Sequence, residues 1–160
     1  NYVSSSVPGI VVALALTMVS VRVLPQVYQT VILVLAAYML LFLPRAVVTL
    51  RAGLAQAPER LEEAAQSLGC PPWRAVLTVT LRRMMPSMLV AFALVFLAVL
   101  NELTATLLLS PAGTSTLATR FWALGLDLDY AAAAPFAMIM IVMSAPMTYL
   151  LLRQTAAGGR

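Results

Sequence analysis

The sequence predicts an all-α polytopic membrane protein with about four transmembrane helices and one polar helix-turn-helix loop between them. Its 160 residues are 62% apolar and only 10% charged, whereas about a quarter of the residues of a soluble domain are charged. Several apolar segments approach the roughly 20 residues that a helix needs to cross a bilayer. The basic residues are all arginine and cluster mainly in residues 45–83, so they indicate membrane topology rather than nucleic-acid binding.

Two predicted spans come first, at about residues 7–24 and 27–43. Pro8 and Gly9 stand at the entry of the first span, where a helix tolerates them. Arg22 is close enough to the other end of that span to reach the interface. Pro44 is expected to stop or kink the second span, and a helical pattern can continue beyond it through residues 45–56.

A polar loop follows and is predicted to cover about residues 57–83. Pro58 suits the first position of a helix, where its missing N–H has no consequence. Gly69 can adopt the left-handed conformation that ends a helix, and Pro71 blocks continuation. Pro72 then opens a second helix. The loop therefore reads as helix, Gly-Pro corner, helix.

Two further spans are predicted at about residues 84–109 and 131–152. Asn101 and Glu102 lie near the end of the third span, and the loop that follows it carries Asp127 and Asp129. The fourth span contains two prolines, which are expected to kink it.

The arginines assign an orientation to these four spans. If all four cross the bilayer, the polar loop and both ends of the chain lie on one side. That side carries every arginine except Arg22 and Arg120, and arginine-rich loops face the cytoplasm. The single cysteine, Cys70, cannot form an internal disulfide and is expected to be a reduced cytoplasmic thiol. Asn1 is not a start methionine, so the chain is interpreted as a partial transmembrane domain that lacks its N-terminal part.

Glu63-Ala64-Ala65 and Gly69 in the polar loop, and Pro86 shortly after it, stand at characteristic spacings. This pattern resembles the signature of binding-protein-dependent ABC importer permeases, the methionine-importer-like transmembrane family. The resemblance implies that the loop couples the permease to a separate ATP-binding subunit. The residues expected at that contact are Leu61, Glu62, Glu63, Ala64, Ala65, Leu68, Gly69 and Trp73.

A second resemblance covers residues 101–109 and 116–120, which read NELTATLLL and TLATR. These stretches look like those of ferric-iron importer permeases, which are typically two fused halves, and this chain would match the C-terminal half. Other substrates of the same importer class stay open, namely thiamine, phosphonate, sulfate and polyamine. A non-transport membrane protein whose loop matches by chance is a further alternative.

The resemblance also implies the partners of the chain. These are cytoplasmic ATP-binding subunits, a periplasmic substrate-binding protein, another permease half or a second permease copy, and the lipid bilayer. The sequence has no phosphate-binding Gly-x-x-x-x-Gly-Lys loop, so ATP hydrolysis is expected on the separate subunit and the chain is not expected to be an enzyme. No cofactor is expected to be bound by this chain. A resident metal ion is not expected either, because histidine, the commonest transition-metal ligand, is absent.

Three residues are candidates for the translocation pathway, Asn101, Glu102 and Arg120. A carboxylate deep in a span is costly and is therefore a functional candidate. Glu102 is expected either to guide a cation at the outer mouth, with Arg120 as a possible partner, or to be an acid at a helix end that reaches water. Asp127 and Asp129 offer oxygen ligands that suit ferric iron, although a solvated loop is the simpler interpretation.

Overall fold

The computed structural model describes residues 8–55 and 59–158, and every regular element in this part of the chain is helical. The all-α polytopic membrane fold is confirmed. Val7, at the predicted start of the first span, and residues 57 and 58, at the predicted start of the polar loop, lie outside the described residues. The helices, in chain order, are α1 (Gly9–Val23), α2 (Val31–Ala55), α3 (Glu59–Ser67), α4 (Pro72–Ala75), α5 (Leu81–Leu100), α6 (Thr104–Leu109), α7 (Leu117–Leu126) and α8 (Tyr130–Gly158).

Three helical segments are long and apolar enough to cross a membrane, at Val31–Ala55, Pro72–Leu100 and Tyr130–Gln154. The apolar helix α1 has only 15 residues within the described part of the chain. α2 runs through Pro44 without ending, so this proline does not stop the helix. α8 likewise contains Pro135 and Pro146.

The second long segment is one continuous rod made of three pieces. α4 passes into a π-helical turn, Val76–Thr80, and this turn passes into α5. The predicted span at residues 84–109 differs from the structure, since α5 ends at Leu100 and the chain breaks at residues 101–103 before α6 begins. The asparagine at residue 101 forms the C-cap of α5, so the polar pair at residues 101 and 102 marks the end of one helix rather than a polar site within a longer one.

A small core holds α1, α2 and α6 together. It is built from the buried side chains of Ala13, Leu33, Val34, Ala37, Ala105 and Leu109. α5 packs against α2 on one side and α8 on the other, and α7 packs against α8. Many large apolar side chains point outward instead, for example Ile32, Met138 and Val142, each about two-thirds exposed. Such a surface is stable in lipid, where apolar side chains lose nothing by facing the hydrocarbon.

α2 and α5 approach each other very closely near the end of α2 that leads to the polar loop. Gly53 is buried there, and a Cβ added to it would overlap the side chain of Ser87 on α5. Small residues at a crossing allow the backbones of membrane helices to pack closely. This crossing fixes the base of the polar loop against the bundle.

Candidate functional site

The polar corner, residues 61–73, is a tight turn between α3 and α4. Gly69 has φ +85°, a left-handed conformation that glycine adopts without steric cost. The N–H of Cys70 donates to the carbonyl of Ala65 at 3.1 Å, and the N–H of Gly69 donates to that of Gln66 at 2.9 Å. These bonds satisfy the last carbonyls of α3. The corner is therefore an ordered structure.

Three large apolar side chains project from this corner into solvent. Leu68 is 89% exposed, Trp73 66% and Leu61 37%. Leu61 and Leu68 lie outside the long apolar segments, so lipid does not account for their exposure. Apolar side chains grouped in this way are typical of a surface that another protein covers.

The small and acidic residues of the corner divide between its two faces. Glu63 and Ala64 are exposed, whereas Ala65 is half-buried. Glu62 is also half-buried, and its carboxylate accepts a hydrogen bond from the hydroxyl of Thr80 in the π-helical turn. Glu63 is thus free to meet a partner, but Glu62 is engaged within the chain. No sequence signal separated the two adjacent acids, and Thr80 was not among the predicted site residues.

Glu102 lies at the chain break between α5 and α6. One of its carboxylate oxygens accepts a hydrogen bond from the N–H of Ala105 at 2.8 Å. A Cβ added to Gly9 would stand 3.5 Å from the same oxygen and 3.9 Å from the side chain of Leu41. The carboxylate therefore sits beside the N-terminal ends of both α1 and α6, where the positive ends of the peptide dipoles stabilise it.

The depth of Glu102 follows from its neighbour on α2. Leu41 is ten residues after the start of α2 at Val31, or about 15 Å along the helix axis. Glu102 is therefore within the bundle rather than near the start of α2 at Val31.

A buried pair of hydroxyl groups supports this arrangement. The Thr106 hydroxyl donates to the carbonyl of Glu102 at 3.1 Å, and the Tyr38 hydroxyl lies 2.5 Å from that of Thr106. Both bonds form together when Tyr38 is the donor, because Thr106 has a single hydroxyl proton. Tyr38 and Thr106 join α2 to α6, and a sequence pattern of apolar residues gives no signal for such a contact.

The other two pathway candidates lie apart from this cluster. The Asn101 amide donates to the carbonyl of Leu97 at 2.8 Å, and its exposed side chain lines a shallow groove that Met140 and Ser144 of α8 also line. Arg120 is exposed on α7 and is not a partner of the Glu102 carboxylate described above. Within the described residues, no three acidic or cysteine side chains converge as metal ligands would; Asp127 and Asp129 are both exposed.

Comparison with known proteins places these features in a family. The family described as "binding-protein-dependent transport system inner membrane component" matches residues 1–156. The chain is 41% identical over 150 residues to the Fe(3+)-transport system permease protein FbpB 2 of Haemophilus influenzae, and this match covers 94% of the chain but 30% of that protein. It is 30% identical over 143 residues to the putative 2-aminoethylphosphonate transport system permease protein PhnV of Salmonella typhimurium, covering 89% of the chain and 54% of that protein.

The chain thus spans about a third to a half of the lengths of these curated relatives. Its long apolar helices agree with a position in the membrane, and its family consists of transport permeases rather than enzymes. The chain belongs to the binding-protein-dependent transport system inner membrane components.

Proposed function

We propose that this chain forms part of the membrane pathway of an ATP-driven importer, and that its polar corner docks on a separate cytoplasmic ATP-binding subunit. The observation that carries the proposal is the exposure of Leu61, Leu68 and Trp73 on an ordered turn. Interfaces owe most of their binding energy to a few such anchors. The sequence offers no phosphate-binding loop of its own, so energy for uptake has to enter through a partner.

The acidic residue of the corner fits the same contact. Glu63 is exposed beside Ala64, and the small alanine permits close approach of a partner surface. A carboxylate at this position can pair with a basic side chain and so fix the register of docking. The arginines at residues 45–83 and at the end of the chain support a cytoplasmic position for the corner and the C-terminal end.

Docking is tested by purifying the permease with its ATP-binding subunits from membranes. We expect Leu68→Ala and Trp73→Ala each to weaken docking by about 2 kcal/mol, the cost of losing an interface anchor, with a smaller loss for Glu63→Ala. Leu126→Ala is the matched control, since Leu126 is 66% exposed at the end of α7, away from the polar corner. Undiminished co-purification of both anchor variants would contradict the proposal.

We further propose that the importer carries ferric iron, delivered by a periplasmic binding protein, and that the iron passes through as substrate without a cofactor bound by this chain. The 41% identity to a Fe(3+) permease supports this assignment. The match to PhnV makes 2-aminoethylphosphonate the second candidate, at 30% identity. A second permease half or copy would complete the pathway.

Uptake by the complete importer distinguishes the two substrates. Vesicles that contain the full-length permease, its ATP-binding subunits and the cognate binding protein are given radioactive ferric iron or 2-aminoethylphosphonate. ATP-dependent accumulation of iron alone is expected. Accumulation of 2-aminoethylphosphonate alone would contradict the iron assignment and identify the phosphonate as the substrate.

Among the three pathway candidates, we place Asn101 on the pathway wall. Its exposed side chain lines a groove together with Phe121 of α7 and residues of α8, whereas the half-buried Glu102 carboxylate lies at the start of α6. Arg120 is exposed on α7 next to Phe121, and we assign it to the rim of the same groove.

A further inference from the structure

The hydroxyl of Thr80 donates to a side chain on another helix rather than to a backbone carbonyl of its own helix. Thr78, in the same π-helical turn, donates its hydroxyl back to the carbonyl of Arg74 at 2.7 Å, as threonines in helices commonly do. Thr80 instead donates across to the carboxylate of Glu62 on α3. The second bond connects two elements that are 18 residues apart in the chain.

The bond between Thr80 and Glu62 joins the polar corner to the helical rod that enters the membrane. α3 carries part of the exposed apolar surface of the corner, and the rod of α4, the π-helical turn and α5 continues from the corner into the membrane. Between them lies the turn at Gly69, where the backbone is left-handed and open space surrounds the glycine. α3 packs against α4 and the π-helical turn, and among the described residues the bond from Thr80 to Glu62 is the side-chain hydrogen bond that ties α3 to the rod.

Besides the turn at Gly69, the π-helical turn is a second place where the backbone between the corner and α5 can change conformation. The N–H of Leu81 bonds to the carbonyl of Val76, five residues back, rather than four residues back as in an α-helix. Such turns occur frequently at functional sites, and their conversion to α-helix shifts the register by one residue. Thr80 is the last residue of this turn, so a bond from Thr80 to Glu62 restrains the turn and the corner together.

We propose that Glu62 and Thr80 form a latch that makes the polar corner and the α4–α5 rod move as one body. Glu62 is then a positioning residue, and Glu63 is the acid left for the partner. This inference rests on the proposed docking of an ATP-binding subunit. With the latch formed, movement of the docked corner is transmitted to α5; without it, the corner swings at Gly69 and the movement is lost.

The latch is tested in the complete importer by comparing uptake per ATP hydrolysed. Thr80→Val and Glu62→Ala remove the donor and the acceptor. A hydrogen bond to a charged group is strong enough that its loss is expected to lower uptake per ATP about fivefold or more, while the ATP-binding subunits remain bound. Thr80→Ser and Glu62→Gln keep a donor and an acceptor and should behave as the unchanged protein. Thr78→Val is the control for losing a hydroxyl from the same turn.

A second measurement does not depend on the partner. Spin labels at Gln66 on α3 and Leu89 on α5 report the distance between the corner and the rod in the full-length permease, in a background where Cys70 and any cysteines elsewhere are replaced by serine. We expect a narrow distance distribution that broadens in Thr80→Val and in Glu62→Ala but not in Thr78→Val.

The latch is contradicted if the distribution stays narrow in both variants, or if uptake per ATP stays within about twofold of the unchanged protein, less than the loss of such a bond should produce. Loss of the ATP-binding subunits from Thr80→Val also contradicts it, because the docking surface should remain intact. If the unchanged protein itself never holds an ATP-binding subunit, the docking proposal fails, while the spin-label distances still decide the latch.

Discussion

The adjacent acids Glu62 and Glu63 show how single residues of the polar corner divide their roles. Both belong to α3, and the resemblance to importer permeases placed both at the contact with the ATP-binding subunit. The structure turns Glu62 toward Thr80 and leaves Glu63 exposed. Helical periodicity separates neighbouring residues by about 100° around the axis, but only the position of the π-helical turn decides which of the two is engaged.

Glu102 illustrates the same point inside the bundle. The sequence singled it out as a membrane carboxylate and left open whether it guides a cation or is a helix-end acid that reaches water. Its bond to the N–H of Ala105 and its closeness to Gly9 favour a structural role at the start of α6, with the carboxylate half-buried in the bundle. No pattern in the sequence brings residues 9 and 102 together, because that contact depends on how α1 packs against α6.

A pair of substitutions at Glu102 separates the two roles. Glu102→Ala removes the acceptor at the start of α6 and is expected to cost about 1 kcal/mol of stability, as for other helix caps. Glu102→Gln keeps a carbonyl oxygen as acceptor, so both thermal unfolding in detergent and ATP-dependent uptake should stay near those of the unchanged protein. A Glu102→Gln protein with normal unfolding but little uptake would instead assign the charge a direct part in transport.

At the scale of helices, composition predicted the long elements better than their interruptions. The apolar run from residue 84 to 109 contains two helices, α5 and α6. The break falls at its two strongly polar residues, Asn101 and Glu102, which were predicted to lie inside one span. Pro44 is the opposite case. The sequence suggested that the helix stops or kinks there, but α2 continues through it. The π-helical turn Val76–Thr80 has no sequence signature of its own, because the amino acids of α-helical and π-helical turns are alike.

The crossing of α2 and α5 gives a prediction at this scale. Gly53→Ala places a methyl group against Ser87 and should separate the two helices, at a cost of about 1–3 kcal/mol, as in other overpacked sites. Gly125→Ala is the matched control, since a Cβ there meets no atom within 4 Å. Thermal unfolding of the purified permease measures both variants.

Shortening the opposing side chain checks the cause. In a Ser87→Gly background, which carries the cost of a glycine within a helix, Gly53→Ala should have little further effect. If Gly53→Ala lowers stability equally with and without Ser87, close packing of α2 on α5 is not the reason.

At the scale of the whole chain, the buried core is small and much apolar surface is exposed. The sequence predicted the fold class but not this distribution of buried and exposed residues. The all-α membrane fold follows from composition, but the buried core comprises mainly α1, α2 and α6, and large apolar surfaces of α2, α5 and α8 remain open. Lipid and, in our proposal, a second permease half cover these surfaces. The polar corner differs from them because Leu61 and Leu68 are exposed beside charged residues outside the three long apolar segments, with the exposed Trp73 at the very start of the second segment.

The only cysteine of this sequence lies in the polar corner, half-buried at residue 70, and it offers the most direct test of docking and orientation. Any cysteines elsewhere in the full-length protein are first replaced. A membrane-impermeant maleimide is then applied to right-side-out and inside-out vesicles, with and without the ATP-binding subunits. We predict labelling of Cys70 only from the cytoplasmic face and marked protection when the ATP-binding subunits are bound. Labelling from the outer face, or an unchanged rate in their presence, would contradict the proposed role of the polar corner.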